Sequence, residues 1–384
     1  MYKINHKSSS ALAIISILLA SLMVFSFGCV KKKEKEIKVG ATFPLTGEVA
    51  SYGQKAKRGI EMAVEDINAK GGVLGRKVII DFQDDRNDKK EAVTIVTKFA
   101  TIDKVSVIFG SAGSSATLAV APIANQNKVV LISPISSSEK LSTEGGAYFF
   151  RTCPSDDLQA KILSDWVYES GARNVAVVYT NNSWGKPLSE GFEKNFVDKG
   201  GKVLLSEGIA ENTGDLRTVI TKIKKLQNID AIVSPTYPKE GGTFVKQIRE
   251  LGLKAPLFGG DNWGSPEFLN IAGKSAEGVY YTAPAENKSQ AFNEFAQRYK
   301  TKYGEEPDVF GAYSYDAANA IFKAIETAKS SESDKIREAL LKVSFPAVSG
   351  QIAFRPNGDL SSEAFSRKTI IDGKAELISK EEKK

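Results

Sequence analysis

A loop of glycine and serine follows a β-branched run in the stretch VSVIFGSAGSSATLAVAPIA, residues 105–124. The loop leads into an alanine-rich segment with helical spacing. The start of a helix favours an anion, because unpaired N–H groups lie there at the positive end of the helix dipole. A second hydroxyl-rich loop, PISSS at 134–138, follows the next predicted strand. Ser114 and Ser137 could therefore close on one carboxylate.

The same serines also have a purely structural interpretation. Ser114 and Ser115 could cap the helix that follows them, which stabilises a helix by about 1 kcal/mol. A nucleotide phosphate site is not expected, because the loop has neither a G-x-G-x-x-G pattern nor a G-K-[ST] ending.

Asp261 begins a further loop, DNWGSP, after another predicted strand. Taken alone, an aspartate there is a turn or capping residue. Aromatic side chains occupy other loops at strand ends, namely Tyr52, Trp184, Tyr237 and Trp263. A carboxylate beside aromatic rings can hold an ammonium group by charge pairing and cation–π attraction. Together with a carboxylate clamp, this predicts an α-amino acid ligand; an aromatic acid or a short amide is the alternative.

The chain has a single histidine, His6, in its N-terminal apolar segment. Once that segment is removed, a Ser-His-Asp triad, a Cys-His pair and any histidine-containing metal site are excluded. We therefore expect a protein that is not an enzyme, with no cofactor and no metal. An enzyme that uses carboxylates or lysine is the remaining alternative.

Short β-branched runs alternate with amphipathic segments from residue 37 onward. The predicted strands are 37–42, 77–83, 105–110, 128–133, 174–180, 202–207, 230–235, 256–260 and 278–283. Apolar residues recur at helical spacing between them, for example Ile60, Ala63, Val64 and Ile67. This alternation predicts an α/β fold with parallel sheets covered by helices, in two lobes. Ligands of such sheets bind at the carboxyl ends of the strands, which is where the candidate residues lie.

The N-terminus indicates export and anchoring. Residues 1–28 combine a short basic start with an apolar run that ends in Gly28, which is typical of a signal peptide. An uncleaved membrane anchor is the alternative. The SFGC sequence resembles a bacterial lipoprotein signal, so Cys29 is expected to carry lipid, with 29–36 as a tether. Cys153, the only other cysteine, would then have no disulfide partner.

The charge of the chain does not point to a particular class of binding partner. The net charge of +6 is small for 384 residues, and the basic runs KKKEKE and KEEKK are mixed with acids. We expect no nucleic-acid partner and interpret both runs as solvated tails.

Several blocks resemble the bacterial leucine/isoleucine/valine-binding proteins, the amino-acid-capturing subunits of ABC importers. The blocks occur in the family's order and are IKVGATFPLTGEVASYGQKAKRGIEMAVEDINAKGGVLGRKVIIDFQDD, VVLISPISS and LFGGDNWGSPEFLNIAGKSAEGVYYTAP. The resemblance implies a type I periplasmic-binding fold: two lobes, each with a parallel sheet flanked by helices, joined by a three-segment hinge near Cys153, Ala283 and Val348. The first lobe would be 37–153 plus 284–348, and the second 154–283 plus 349–384.

The resemblance also implies roles for individual residues. Ser114 matches a serine that binds the ligand carboxylate, and Ser137 matches a threonine that contacts both carboxylate and ammonium. Ile135 would offer its backbone carbonyl to the ammonium, and Asp261 matches the acid that pairs with it, a glutamate in several members. The remaining matched positions are aromatic residues that flank the ligand, Tyr52 and Trp184, with Tyr237 beside a third.

The implied partners are a small-molecule amino acid, the permease subunits of an ABC importer, and a membrane reached through the lipid anchor. A monomer is expected, in the periplasm or on the outer face of the cytoplasmic membrane. A ligand-sensing module that hands its ligand to a receptor is the alternative to transport.

Overall fold

Strands and helices alternate along the chain, as the spacing of its apolar residues predicts. The structure is a computed structural model that describes residues 36–378. The predicted signal peptide, Cys29 and most of the tether lie outside the described residues.

Two sheets form the framework. The first contains β1 (Glu36–Phe43), β2 (Lys77–Asp84), β3 (Val107–Gly110), β4 (Val130–Ser133) and β5 (Phe149–Arg151). The second contains β6 (Asn174–Thr180), β7 (Lys202–Ile209), β8 (Ala231–Ser234), β9 (Leu257–Gly259), β10 (Tyr280–Pro284), β13 (Phe365–Ile371) and β14 (Lys374–Leu377). A small ladder pairs β11 (Ser344–Pro346) with β12 (Gln351–Ala353).

Helices connect and cover these strands. In chain order they are α1 (Ala50–Ala69), α2 (Lys89–Lys98), α3 (Ser114–Gln126), α4 (Leu141–Glu144), α5 (Asp156–Glu169), α6 (Gly185–Asp198), α7 (Arg217–Lys224), α8 (Pro238–Glu250), α9 (Pro266–Ala272), α10 (Gln290–Tyr303), α11 (Val309–Ala328) and α12 (Ser333–Leu340). A short 3₁₀ helix, Asp261–Gly264, follows β9.

The first sheet has the order β2-β1-β3-β4-β5. Its pairs β1–β3, β3–β4 and β4–β5 are parallel. The predicted apolar stripe of α1 packs on this sheet: Ile60 and Ala63 are fully buried in a cluster with Val39 and Phe43 of β1. A second cluster, formed largely by α2, α3 and alternate residues of β3 and β4, also packs on this sheet. The sheet is therefore buried between helices, as a parallel sheet requires.

The second sheet has the order β14-β13-β10-β9-β8-β6-β7. Its five predicted strands pair in parallel, and β13 and β14 add an antiparallel hairpin. This hairpin was not predicted, because β14 has the sequence KAEL and is exposed throughout, so no apolar alternation marks it. The turn does carry a signal: Asp372 and Gly373 both have positive φ, and Asp-Gly is a preferred hairpin dipeptide.

The chain passes between the sheets three times. It leaves the first sheet after β5, at residues 152–155, and returns after β10, at residues 285–289. The third passage differs from the one expected near Val348. Ile352, Phe354 and Leu360 are buried in the cluster of the first sheet, and β13 is the next segment to join the second sheet. These three apolar side chains hold residues 349–360 in the first lobe, so the passage lies at 361–364. We call residues 36–151 with 290–360 the first lobe, and 156–284 with 365–378 the second lobe.

The helices of residues 36–378 are all too short or too polar to span a bilayer.

Candidate functional site

A cavity lies between the carboxyl ends of strands from the two lobes. It contains about 450 Å³ of space that no atom fills, part of it open to solvent. Its lining residues are Val49, Tyr52, Asn87, Ala112, Gly113, Ser114, Ile135, Ser137, Trp184, Tyr237, Asp261, Asn262 and Phe310. All seven predicted ligand-binding residues are among them. The structure thus brings these residues together, while their roles toward a ligand stay predictions.

The N-terminus of α3 forms the first-lobe end of the cavity. Its N-cap is Gly113, and no side chain caps the first turn. Ser114 and Ser115 therefore lie within the first turn and are not its caps. Ser114 Oγ accepts a hydrogen bond from the backbone N–H of Ser138 at 3.3 Å. Its own proton has no acceptor among residues 36–378, so Ser114 can donate to an anion in the cavity.

Buried polar contacts hold this loop in place. Asp85 Oδ2 accepts hydrogen bonds from Ser111 Oγ at 2.5 Å and from Thr42 Oγ1 at 3.0 Å. Gly110 ends β3 with a φ of +129°, and a Cβ there would lie 2.0 Å from the carbonyl oxygen of Thr42. Glycine is required at that position both by the backbone conformation and by the close approach.

Asp261 forms the second-lobe end of the cavity. It begins the 3₁₀ helix after β9, and its Oδ1 is buried without a hydrogen-bond partner among the described residues. Burial raises the pKa of this carboxyl to about 6, although hydrogen bonds from backbone N–H groups act against the rise. A buried carboxylate oxygen without a partner is unfavourable, so a donor in the cavity would stabilise it.

A second buried carboxylate, Asp156, lies behind the cavity wall at the start of α5. Its Oδ2 accepts a hydrogen bond from Ser137 Oγ at 3.0 Å, across the two lobes. Gln159, one turn further along α5, joins this group to the Asp261 loop. The amide oxygen of Gln159 accepts from Thr282 Oγ1 and from the backbone N–H of Asp261, both at 2.9 Å, and its nitrogen donates to Asp156 Oδ1 at 2.8 Å. The opposite amide orientation would set its oxygen against the carboxylate.

The pKa of Asp156 is raised well above its ordinary value, first by burial and then by the charge of Asp261. Hydrogen bonds from Ser137 and Trp184 and the positive charge of Arg151 favour the ionised form. Asp156 thus faces hydrogen-bond donors on both oxygens, which is the environment of an acceptor.

Arg151 holds the serine loop from below. It is fully buried and donates to the carbonyl oxygens of Ser137 and Ser138, both at 2.9 Å. Its Nε lies 2.7 Å from Oδ1 of Asp359, which is also buried. Breaking such a buried pair leaves an uncompensated charge and is strongly destabilising.

Aromatic rings form the walls of the cavity. Trp184 and Tyr237 stack with ring centroids 5.4 Å apart, and Tyr52 meets Phe310 edge to face at 5.2 Å. Trp263 does not belong to these walls. It is fully buried, stacks on Phe268 and donates from Nε1 to Thr236, so it is a core residue of the second lobe.

Several residues of the site were not predicted from the sequence. Phe310 lies at the start of α11, far along the chain, and Asn87 lies in the turn after β2. Asn262 follows Asp261 in the DNWGSP loop, which the sequence analysis had selected. Of these three residues, only Asn262 had such a signal in the sequence.

Cys153 is buried, and burial raises the pKa of its thiol. A buried thiol with a raised pKa suits a structural role rather than a reactive one. In residues 36–378, no group of three or more histidine, cysteine, aspartate or glutamate side chains is arranged to hold a metal ion.

A two-lobed α/β chain whose lobes enclose a small cavity has the architecture of a ligand-binding protein. The chain belongs to the periplasmic binding protein family, whose model matches residues 36–366. Members of this family are substrate-binding transport proteins rather than enzymes, and they act outside the cytoplasm. The fold is the type I periplasmic-binding fold.

Three similar proteins agree with this assignment. The Leu/Ile/Val-binding protein BraC3 of Rhizobium johnstonii is 28% identical, over 91% of this chain and 95% of its own length. The leucine-, isoleucine-, valine-, threonine-, and alanine-binding protein of Pseudomonas aeruginosa is 28% identical, over 92% of this chain and 94% of its own. The branched-chain amino acid transporter substrate binding protein LivJ of Streptococcus pneumoniae, solved with isoleucine, is 31% identical with a TM-score of 0.81, covering 90% of this chain and 99% of its own.

Proposed function

We propose that this protein captures an α-amino acid with an apolar side chain and delivers it to an ABC importer. The observation that carries the proposal is that the two ends of one small cavity favour ligand groups of opposite charge. Ser114 and the uncapped start of α3 favour a carboxylate at one end, and the unpartnered Oδ1 of Asp261 favours an ammonium at the other.

The walls support an apolar side chain on the ligand. Tyr52, Trp184, Phe310 and Ile135 offer aromatic and aliphatic surface, and Tyr52 Oη is already occupied as a donor to Asn262. Burying apolar ligand atoms against such surface is favourable by about 25 cal/mol per Å² removed from water. The ligands named for the related proteins, which include leucine, isoleucine and valine, are consistent with this chemistry.

Capture would involve closure of the two lobes. Ser115 of the first lobe accepts from the backbone N–H of Ser183 of the second at 3.1 Å, and Lys239 pairs with Glu48 between the lobes. These contacts support a closed form in which both lobes present one surface to a permease. A ligand that touches both lobes stabilises that form, because it binds the closed state better than the open one.

The location follows the same proposal. The protein would be tethered outside the cytoplasm through lipid on Cys29, as a monomer. The lipoprotein-like sequence at residues 26–29 supports the anchor.

A thermal-shift screen tests the proposal. The mature chain is mixed with each common L-amino acid, with carboxylic acids that lack the amino group, and with the amino acid amides. A ligand that binds only the folded state raises the melting temperature. We expect apolar amino acids to give the largest shifts. Equal shifts from an amino acid and its deaminated analogue would support the carboxylate-only alternative, and no shift from any amino acid would overturn the proposal.

A further inference from the structure

We propose that Asp156 is a positioning residue that turns Ser137 into a hydrogen-bond acceptor for the ligand ammonium. The inference rests on the proposed function, since it concerns the same cavity. It assigns a role to a buried residue that does not line the cavity and acts through the side chains it contacts.

The argument begins with the single proton of Ser137. Ser137 Oγ donates to Asp156 Oδ2 at 3.0 Å, and this is its only hydrogen bond among residues 36–378. A hydroxyl has one proton and two lone pairs. With its proton committed to Asp156, Ser137 presents only lone pairs to the cavity that it lines.

Asp156 is itself fixed as an acceptor. Its second oxygen faces the side-chain nitrogen of Gln159, whose amide oxygen is occupied by the backbone N–H of Asp261 and the hydroxyl of Thr282. The same network therefore orients Ser137 and anchors the loop of Asp261. Ser137 Oγ and the carboxylate of Asp261 become two acceptors at one cavity, which suits an ammonium and not a carboxylate.

Ser114 has the opposite polarity. Its oxygen accepts from the backbone N–H of Ser138, while its proton is free to donate. The two serines that look equivalent in sequence would thus have different partners, Ser114 with the ligand carboxylate and Ser137 with the ligand ammonium. The discrimination between an amino acid and a simple acid would depend on Asp156.

The test measures affinities by calorimetric titration with a matched pair of probes. These are the amino acid with the largest shift in the screen above and the carboxylic acid with the same side chain and no amino group, for example L-leucine and 4-methylpentanoate. In Asp156→Asn, the new amide nitrogen must face either Gln159 or Ser137, both of which donate there. The expected result is a loss of about tenfold or more for the amino acid, as for a hydrogen bond to a charged group, with a much smaller loss for the acid.

Three further variants separate positioning from a general structural role. Ser137→Ala should lose the same selectivity, and Asp156→Asn should cost less selectivity in that background than in the unaltered protein, because the part of its effect that passes through the Ser137 hydroxyl is already lost. Ser137→Thr keeps the hydroxyl and should keep the selectivity. Asp157→Asn, an exposed acid in the same first turn of α5, is the matched control for helix charge and should change neither affinity.

A double variant provides the rescue. In Asp156→Asn with Gln159→Glu, the acid and the amide exchange positions. The amide nitrogen at position 156 donates to the carboxylate at position 159, and the amide oxygen at position 156 can again accept from Ser137. Selectivity for the amino acid should return at least in part. The single Ser137 variants keep the inference testable if Asp156→Asn fails to fold.

Two results would overturn the inference while leaving the proposed function intact: equal losses for both probes in Ser137→Ala, or unchanged selectivity in a folded Asp156→Asn. If the unaltered protein binds no amino acid, the proposed function fails and the inference fails with it.

Discussion

Tyr52 of the first lobe donates a hydrogen bond from Oη to Oδ1 of Asn262 in the second lobe, at 2.6 Å. Both residues line the cavity, and 210 positions separate them in the chain. The bond therefore joins the lobes at the cavity itself. Any rotation that opens the cavity must break it, so it favours the closed form before a ligand arrives.

Replacing Tyr52 with Phe should increase the open population. The net value of such a bond is about 0.5–1.5 kcal/mol, so the apparent dissociation constant should rise by about two- to tenfold. Calorimetric titration gives the affinity, and small-angle X-ray scattering of the ligand-free protein gives the compactness. Asn262→Ala should have a similar effect and add little in the double variant; fully additive losses would show that the two residues act separately.

Replacing Asp261 with Asn keeps the shape and removes the charge. If an ammonium lies against this carboxylate, amino acid affinity should fall by about 3 kcal/mol or more, as for breaking a buried ion pair. The deaminated analogue should bind almost as well as before. Titration of both proteins with both ligands measures the difference, and an unchanged amino acid affinity would contradict the ammonium role.

Replacing Ser114 with Ala removes the free hydroxyl proton beside α3. Both the amino acid and its deaminated analogue should lose affinity by about 1.5–3 kcal/mol, since each has the carboxylate that this hydroxyl would bind. The double variant with Ser137→Ala should lose several kcal/mol for the amino acid. The amino acid amide should bind poorly to the unaltered protein, and equal affinity for acid and amide would exclude a carboxylate clamp.

The raised pKa of Asp261 predicts a pH-dependent stability difference without ligand. Its pKa is about 6 in the folded protein and about 4 for a free aspartate, so the folded state binds the proton more tightly. The contribution of Asp261 to stability should therefore be present below pH 4 and be lost as the pH rises to 6. Asp261→Asn should be more stable than the unaltered protein above pH 6, by up to about 3 kcal/mol, and the difference should shrink below that pH.

Urea unfolding of both proteins between pH 4 and 8 measures this difference. Asp316, whose pKa is also raised to about 6 by burial, is present in both proteins and cancels in the comparison. Asp156 does not cancel, because the charge of Asp261 helps to raise its pKa; losing that charge stabilises ionised Asp156 and so adds to the difference in the same direction. If the difference in unfolding free energy between the two proteins does not vary with pH, the pKa of Asp261 is not raised.

Replacing Cys29 with Ser should prevent lipid attachment. We expect the variant to be released from the membrane fraction or mislocalised, with no lipid mass on the mature chain. Fractionation and intact mass spectrometry of both forms provide the measurement. Recovery of a lipid-modified, membrane-bound variant would contradict the anchor.

Periodicity and composition alone determined the α/β class, nine of the strands and the loops that carry the cavity. The apolar stripes of α1 and the β-branched runs are local patterns, and burial of one face follows from them directly. The resemblance then indicated which loop residues face a ligand, and all seven line one cavity. The absence of histidine after His6 was equally a matter of sequence.

Only the tertiary structure distinguished residues of the same type that have similar neighbours in the sequence. Asp156 and Asp157 are adjacent acids in one helical turn, yet the first is buried against Ser137 and the second is exposed. Trp184 and Trp263 both follow strands, yet one lines the cavity and the other packs in the core. Burial, hydrogen-bond direction and the third passage between the lobes depend on contacts between residues far apart in the chain. Those contacts are decided by how the two lobes pack, which no local pattern encodes.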